Sequence, residues 1–468
     1  LQQLVHRGVL VPEPPPYLHL VIACRGEKVS LTAKQEEMAI AWVKKLGTEY
    51  AEDAVFVRNF MTDFSAALGI EPVLKSDEID LQAVIDVVAA ERMQKESMSK
   101  EARKALAVER KEKREALKEA YGHAIADGER IELANYLVEP SGIFMGRGKH
   151  PLRGRWKEGA TGQDITLNLS HDAPRPDGAW AEIVWQPESL WVAKWPDKLT
   201  GKIKYIWLHD TAPIKQAREA QKFDKAIELA EQIDVVRQHI RDALTCESFR
   251  RRKIATACFL IDALCLRVGD EKDPDEADTV GATTLRPEHV KLLPDGAVEF
   301  RFLGKDSVLW HKKIILDDVV RGNLEMLSRE ARPSKNGGKK KHPAYNKPQL
   351  FPDISSRNVN EFLSEILPGL TAKVFRTFHA STVVHNSLSA SGVLVEDPEY
   401  RKWEAAVKAN VEAAILCNHT KKAPVNWAQR KENFRGREQK LAGELAVISA
   451  RIKSESAKLT PLRQQMKR

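Results

Sequence analysis

"KIATACFLIDALCLRVGDEK", residues 253–272, is the stretch on which the reading of this chain turns. Ile254, Cys258, Leu260, Ile261 and Leu264 recur at helical spacing and mark a buried face, and Cys258 and Cys265, seven apart, belong to the same packing. Gly269 is the expected helix stop, which puts Arg267 at the end of a buried helix. Upstream, residues 213–267 read as helix throughout. Downstream, "VEFRFLGKDSVLWHKKIIL" (298–316) alternates as a hairpin whose turn, Gly304-Lys305-Asp306, projects Lys305 from its tip. "LTAKVFRTFHASTVVHNSL" (370–388) returns to helix with Arg376 among apolar neighbours, and "AAILCNHTKKAP" (413–424) is an apolar stretch ending in His419.

The amino-terminal half reads differently. Pro12 to Pro16 form a stiff segment before the strand-like "YLHLVIACRG" (17–26). Residues 31–120 are helical and end in the charged run "ERMQKESMSKEARKALAVERKEKREALKEAYG" (91–122), a solvated helix whose Lys and Arg surplus also suits a polyanion. Residues 130–210 read as short strands and loops carrying six of the ten tryptophans. Within them "SGIFMGRGKHPLRGRW" (141–156) is a glycine-rich loop with Arg147, Lys149, Arg153 and Arg155. It lacks the order of a nucleotide P-loop and is either a basic surface turn or a phosphate-facing one.

Length allows two to four domains, and a net charge of +8 with a pI near 9.0 favours a polyanionic partner. Five scattered cysteines without a C-x-x-C pair argue against a disulfide framework or a zinc site, and imply a reducing compartment. No apolar run approaches the roughly 20 residues of a membrane span. The first residues do not resemble a signal peptide, and a start without methionine reads as a trimmed chain. The expectation is a soluble intracellular protein. The basic segment 332–348 is expected to be a mobile loop, and the tail from 420 is helical with thirteen Lys or Arg against four Glu.

Arg267, Lys305, Arg376 and His419 would each be held rigidly by a helix or hairpin. Singly each has an ordinary explanation: a paired buried arginine, a solvated lysine, a structural histidine. Converging, they would form a cationic cup for a phosphodiester. Two guanidinium forks and a histidine can hold the non-bridging oxygens as charge builds, each donor supplying about 3–4 kcal/mol in the transition state. A lysine near the leaving oxygen can act as general acid. No carboxylate cluster for a metal accompanies them. The cup lacks only a nucleophile: water would give a nuclease, and a phenol would conserve the bond energy for resealing.

"CLRVGDEK", "EADTVGATTLRPEHV", "FLGKDSV", "AKVFRTFHAS" and "AILCNHTKKAP" resemble, in order and wording, the core of eukaryotic type IB DNA topoisomerases. The match extends upstream through "RNFMTDF", "FMGRGKHP" and "GKIKYIWL". The resemblance implies a multidomain α+β protein. A cap of strands and charged helices (1–212) would close over DNA opposite a mainly helical catalytic domain of the type IB topoisomerase/tyrosine recombinase type with a small antiparallel sheet (213–419). A basic helical linker stub (420–468) would follow. It implies Arg267, Arg376 and His419 on the non-bridging oxygens and Lys305 as acid to the leaving 5′ oxygen. In that family a tyrosine attacks to leave a 3′-phosphotyrosine, and strand rotation relaxes supercoils without ATP or an obligatory metal, which the resemblance implies here. Arg147, Lys149, His150, Lys204, Tyr205, Lys272, Thr279 and Asp306 would approach double-stranded DNA, and Arg147 and Asp306 match a pocket for camptothecin-type poisons. Nuclear residence follows from the implied function, with organellar DNA a further possibility.

Three departures qualify the resemblance. The family's tyrosine lies in a C-terminal S-K-x-x-Y segment, whereas the last tyrosine here is Tyr400, before His419 and in the unrelated context "DPEYRKW". Either the chain is cut short or, as in the bipartite enzymes of kinetoplastid protozoa, a separate small subunit carries the tyrosine. The expectation is the second, a large subunit inactive without its partner. The lysine-rich 332–348 segment leans the same way. His379 stands where an Asn is expected in single-chain relatives, and His419 is preferred to it as the catalytic histidine. Tyrosine recombinases, the nearest rival, typically place a histidine where this chain has Lys373 and carry their own tyrosine; a non-catalytic DNA-binding scaffold would have little reason to keep all four cup residues.

Overall fold

Thr32 and Gln35 cap the first helix reciprocally, side chain to backbone at 2.7 and 3.4 Å, and so start α1 (Ala33–Val43). Asp53 does the same for α2 (Ala54–Leu68) by accepting from Val55 and Phe56, and Gly69 at φ +71° ends it. Phe56, Phe60 and Phe64 follow at four-residue spacing, all buried. Trp42 of α1 stacks on Phe60 with ring centroids 4.7 Å apart. Each such ring contributes about 1.5–3 kcal/mol by leaving water. With α3 (Gln82–Ser97) and the hairpin Val21–Cys24/Glu27–Ser30 these residues make one core. α4 (Lys100–Tyr121) buries no side chain, as a solvated charged helix should.

The structure is a computed structural model and describes residues 1–270, 276–333, 347–420 and 423–465. Leu1–Cys417 form one unit and Asn418–Arg468 a second. A second core lies between two small sheets. One is the antiparallel set Leu4–His6, His123–Ala126 and Glu129–Glu132. The other orders Glu182–Val184, Thr166–Asn168, Trp191–Pro196 and Ile203–Trp207.

The third and largest core is helical. α5 (Pro213–Leu244), α6 (Phe249–Leu264), α7 (Asp318–Arg329), α8 (Ser356–Ser364) and α9 (Ala372–Ala390) surround a sheet of Val290–Leu292, Ala297–Leu303 and Leu309–Ile315. α6 is buried nearly all round from Lys253 to Leu264, so neighbours pack it on every side. α10 (Glu399–Leu416) packs on α9. In the second unit α11 (Trp427–Gln465) leaves every described side chain exposed. No helix among the described residues is long and apolar enough to cross a membrane.

Two local expectations are corrected. α6 stops at Leu264, not at Gly269, because Cys265 turns into the left-handed region at φ +53°, and Arg267 lies in the following loop, exposed. The strand expected over 17–26 is only Val21–Cys24. His19 takes φ +58°, and the Leu18 and Leu20 amides donate to the Glu36 carboxylate at 2.6 and 2.9 Å instead of to a neighbouring strand.

Candidate active site

Arg376 reaches from the first half of α9 to two backbone carbonyls. Its Nη1 donates to Cys265, the residue that ends α6, and its Nη2 to Cys417, the residue that ends α10, at 3.2 Å. One planar guanidinium therefore joins three helix positions. Burial holds its pKa below the usual arginine value, and the nearby Arg267 guanidinium pushes the same way. Two cations close enough to repel suit an anion arriving from outside.

Arg267 is positioned by its backbone. Its carbonyl accepts from Ala282, that of Val268 from Thr283, and Gly269 lies against Gly281 so closely that a Cβ on Gly281 would sit 2.5 Å from the Gly269 Cα. Gly269 also needs its φ of +81°. Val280 in turn donates to Leu303, two residues before Lys305. A chain of backbone bonds thus runs from Arg267 through 280–283 to the hairpin tip. There Lys305 begins a single tight turn, exposed, with Asp306 and Ser307 both left-handed at φ +64° and +59°.

The glycine-rich loop of the amino-terminal half meets this tip. Arg147 pairs with Asp306, and the Ser307 hydroxyl donates to the Arg147 carbonyl at 3.5 Å. Gly148, at φ +56°, is required there because a Cβ would overlap the Ser307 side chain. Lys149 is exposed on the same loop. His150 shapes it from within, its ring edge-on to Phe144 and its Nδ1 accepting from the Leu152 amide at 3.2 Å. A second ion pair between the halves, Lys202 with Glu276 at 2.7 Å, had no signal in the sequence.

Lys204 and Tyr205 lie on the strand Ile203–Trp207. Lys204 is half-buried, 3.8 Å from Asp197, and Tyr205 faces outward beside Trp207. Thr279 is half-buried next to Val280. Lys272 and most of the 332–348 segment lie outside the described residues. His419 is exposed and belongs to the second unit, two residues along the chain from Cys417.

His379 stands on α9 one helical turn after Arg376. It bonds Asp262, which Arg237 also grips, so three helices share one carboxylate. Reading the sequence for cations missed Asp262 and Arg237. The available signal was a lone aspartate inside the apolar run "FLIDALCL".

A mixed α+β protein whose strand-bearing amino-terminal half meets the hairpin tip of a helical core, with Arg267 and Arg376 close enough to repel, fits a class that handles phosphodiesters. Comparison narrows the class. Residues 1–208 match the family model described as "Eukaryotic DNA topoisomerase I, DNA binding fragment", and residues 211–452 match "Eukaryotic DNA topoisomerase I, catalytic core". The chain is 33% identical to DNA topoisomerase 1 alpha of Arabidopsis thaliana over 96% of its length, and 35% identical to DNA topoisomerase 1 of Candidozyma auris over 92%. It is 32% identical to the mitochondrial DNA topoisomerase I of Homo sapiens over 97%. It spans 48%, 56% and 75% of those relatives, about half the length of the first two. The chain belongs to the eukaryotic type IB DNA topoisomerase I family.

Proposed function

We propose that this chain supplies the DNA-clamping and phosphate-activating parts of an enzyme that relaxes supercoiled DNA by transient single-strand cleavage, strand rotation and religation. The observation that carries the reading is Arg376, held by Cys265 and Cys417 with Arg267 in its field. The two arginines and His419 would bind the non-bridging oxygens as charge builds on them. Lys305 would protonate the leaving 5′ oxygen. Arg147, Lys149, His150, Lys204, Tyr205, Lys272, Thr279 and Asp306 would line the duplex, with Arg147 and Asp306 bordering the poison pocket. The reading uses neither ATP nor an obligatory metal, and it places the enzyme on nuclear DNA or, like the relative named mitochondrial, on organellar DNA.

The nucleophile is a tyrosine outside these 468 residues. Tyr400 is unsuited: at about 1.5 Å per residue it stands about 24 Å along α10 from Leu416, next to the Cys417 carbonyl that meets Arg376, and it is 68% exposed. Matched relatives are longer polypeptides of one chain each, which favours a tyrosine on a continuation of the same polypeptide over the separate small subunit first expected. The two-subunit arrangement remains the second reading, on the strength of the lysine-rich 332–348 segment.

Plasmid relaxation tests both. The 468-residue chain is assayed alone, fused to a C-terminal S-K-x-x-Y segment, and mixed with that segment as a separate polypeptide, with the covalent DNA adduct trapped and sized. Activity only when the tyrosine is supplied, with the adduct on the polypeptide carrying it, supports the reading. Relaxation by the 468 residues alone, with the adduct on one of their own seven tyrosines, would refute it.

A further inference from the structure

We propose that His379 is a positioning residue for the phosphate-activating arginines, acting through Asp262. The inference rests on the reading above and goes beyond it to a residue that touches no DNA in that scheme. Its basis is a register. On α9, Arg376 and His379 are three residues apart and share a face. At the end of α6, Asp262 and Cys265 are also three apart. Arg376 bonds Cys265 and His379 bonds Asp262, the latter with Nε2 2.7 Å from Oδ1. Two polar rungs, one helical turn apart, therefore sew α9 to the end of α6.

The outer rung is braced from a third element. Arg237 of α5 donates to Asp262 through Nε at 2.8 Å and Nη2 at 3.2 Å. Asp262 is 9% exposed. Its burial pushes its pKa up, yet donation from His379 and Arg237 holds it below the ordinary carboxylate range. A carboxylate so placed is costly to leave half-satisfied, so the rung resists sliding of α9 along α6. Both arginines hang from this joint. Arg376 is one turn along α9, and Arg267 is five residues beyond Asp262 across the left-handed turn at Cys265. A shift of about 1 Å at such a joint is enough to slow a reaction that depends on placement by about 100-fold.

The test uses this chain together with its tyrosine-bearing segment. His379→Leu removes the donor and keeps bulk, whereas His379→Gln keeps an Nε2 donor at similar reach. On a duplex whose cleavage is irreversible, His379→Leu is expected to lower the first-order cleavage rate at saturating enzyme at least tenfold. Affinity for the uncleaved duplex should stay within twofold, and His379→Gln should recover most of the rate. Cleavage by His379→Leu at the native rate, or rate and affinity falling together without recovery in His379→Gln, overturns the proposal. A readout on the 468-residue chain needs no activity: the Arg376 Nε resonance, assigned with Arg376→Lys, should move in His379→Leu and stay in His379→Gln. An unmoved resonance in His379→Leu overturns positioning even if the enzyme relaxes DNA; a moved one beside an inactive reconstituted wild type would fault the topoisomerase reading and leave the positioning supported.

Discussion

Arg376 joins the ends of two helices with the same side chain that the proposed chemistry uses. A guanidinium has five N–H groups, and the carbonyls of Cys265 and Cys417 take two of them. An ammonium at the same place has three rotating donors and no fixed plane, so it cannot hold both carbonyls and present a fork to a phosphate. Arg376→Lys is therefore expected to be nearly as damaging as Arg376→Ala, each slowing cleavage by about 10²–10³. Single-turnover cleavage by the tyrosine-supplemented chain measures it. A lysine variant within tenfold of the parent would show that charge alone suffices. The sequence singled out Arg376 as a candidate from "AKVFRTF", but its carbonyl partners were not legible, since backbone acceptors leave no trace in residue identity.

At the scale of elements, the strand Leu4–His6 illustrates a member of a sheet that the sequence hid. It is three residues long, too short for an alternating pattern to register, and it is secured by its side chains. His6 is buried, with Nε2 3.0 Å from the Asn168 carbonyl and Nδ1 accepting from the Gly8 amide at 3.1 Å. Nδ1 therefore has no room for a proton, and burial pulls the pKa from 6.5 to about 4. The folded state then binds fewer protons than the unfolded chain between those values. Its stabilising contribution is complete above pH 6.5 and is lost as pH falls towards 4, about 3 kcal/mol in all and about 2 kcal/mol of it by pH 5. Urea unfolding at pH 7.5 and 5 should show the loss, and His6→Gln, which keeps a donor to Asn168 without titrating, should reduce it. An equal loss in that variant would assign the acid sensitivity elsewhere, first to His289, whose burial and Arg286 neighbour also bring its pKa to about 4.

Across the whole molecule, charge is distributed by part. Residues 420–468 carry thirteen Lys or Arg against four Glu, so the rest of the chain is nearly balanced despite the overall +8. Two of the ion pairs between the halves among the described residues, Arg147–Asp306 and Lys202–Glu276, are exposed and worth about 0–1 kcal/mol each. On the proposed reading, in which the halves close around a duplex, joints this weak would let them part. If the basic tail contacts phosphates during rotation, replacing four of its Lys or Arg by Gln should lower the salt slope of relaxation by up to about 3.6, at about 0.9 per contact. A slope unchanged within error would remove the tail from DNA contact.

The sequence by itself determined the family, the helical character of the core, the Gly304–Asp306 tip that carries Lys305 and the helix that carries Arg376. Those features are written in local periodicity, turn residues and motif wording, which survive without knowledge of neighbours. The solvated character of α4 was legible for the same reason, from charge that no core could take. Only the tertiary structure decided that α6 ends at Cys265, that Gly269 faces Gly281, and that Asp262 gathers Arg237 and His379. Each of these depends on a contact between segments from 12 to 117 residues apart in number, and a helix stop or a paired carboxylate is chosen by the partner that meets it.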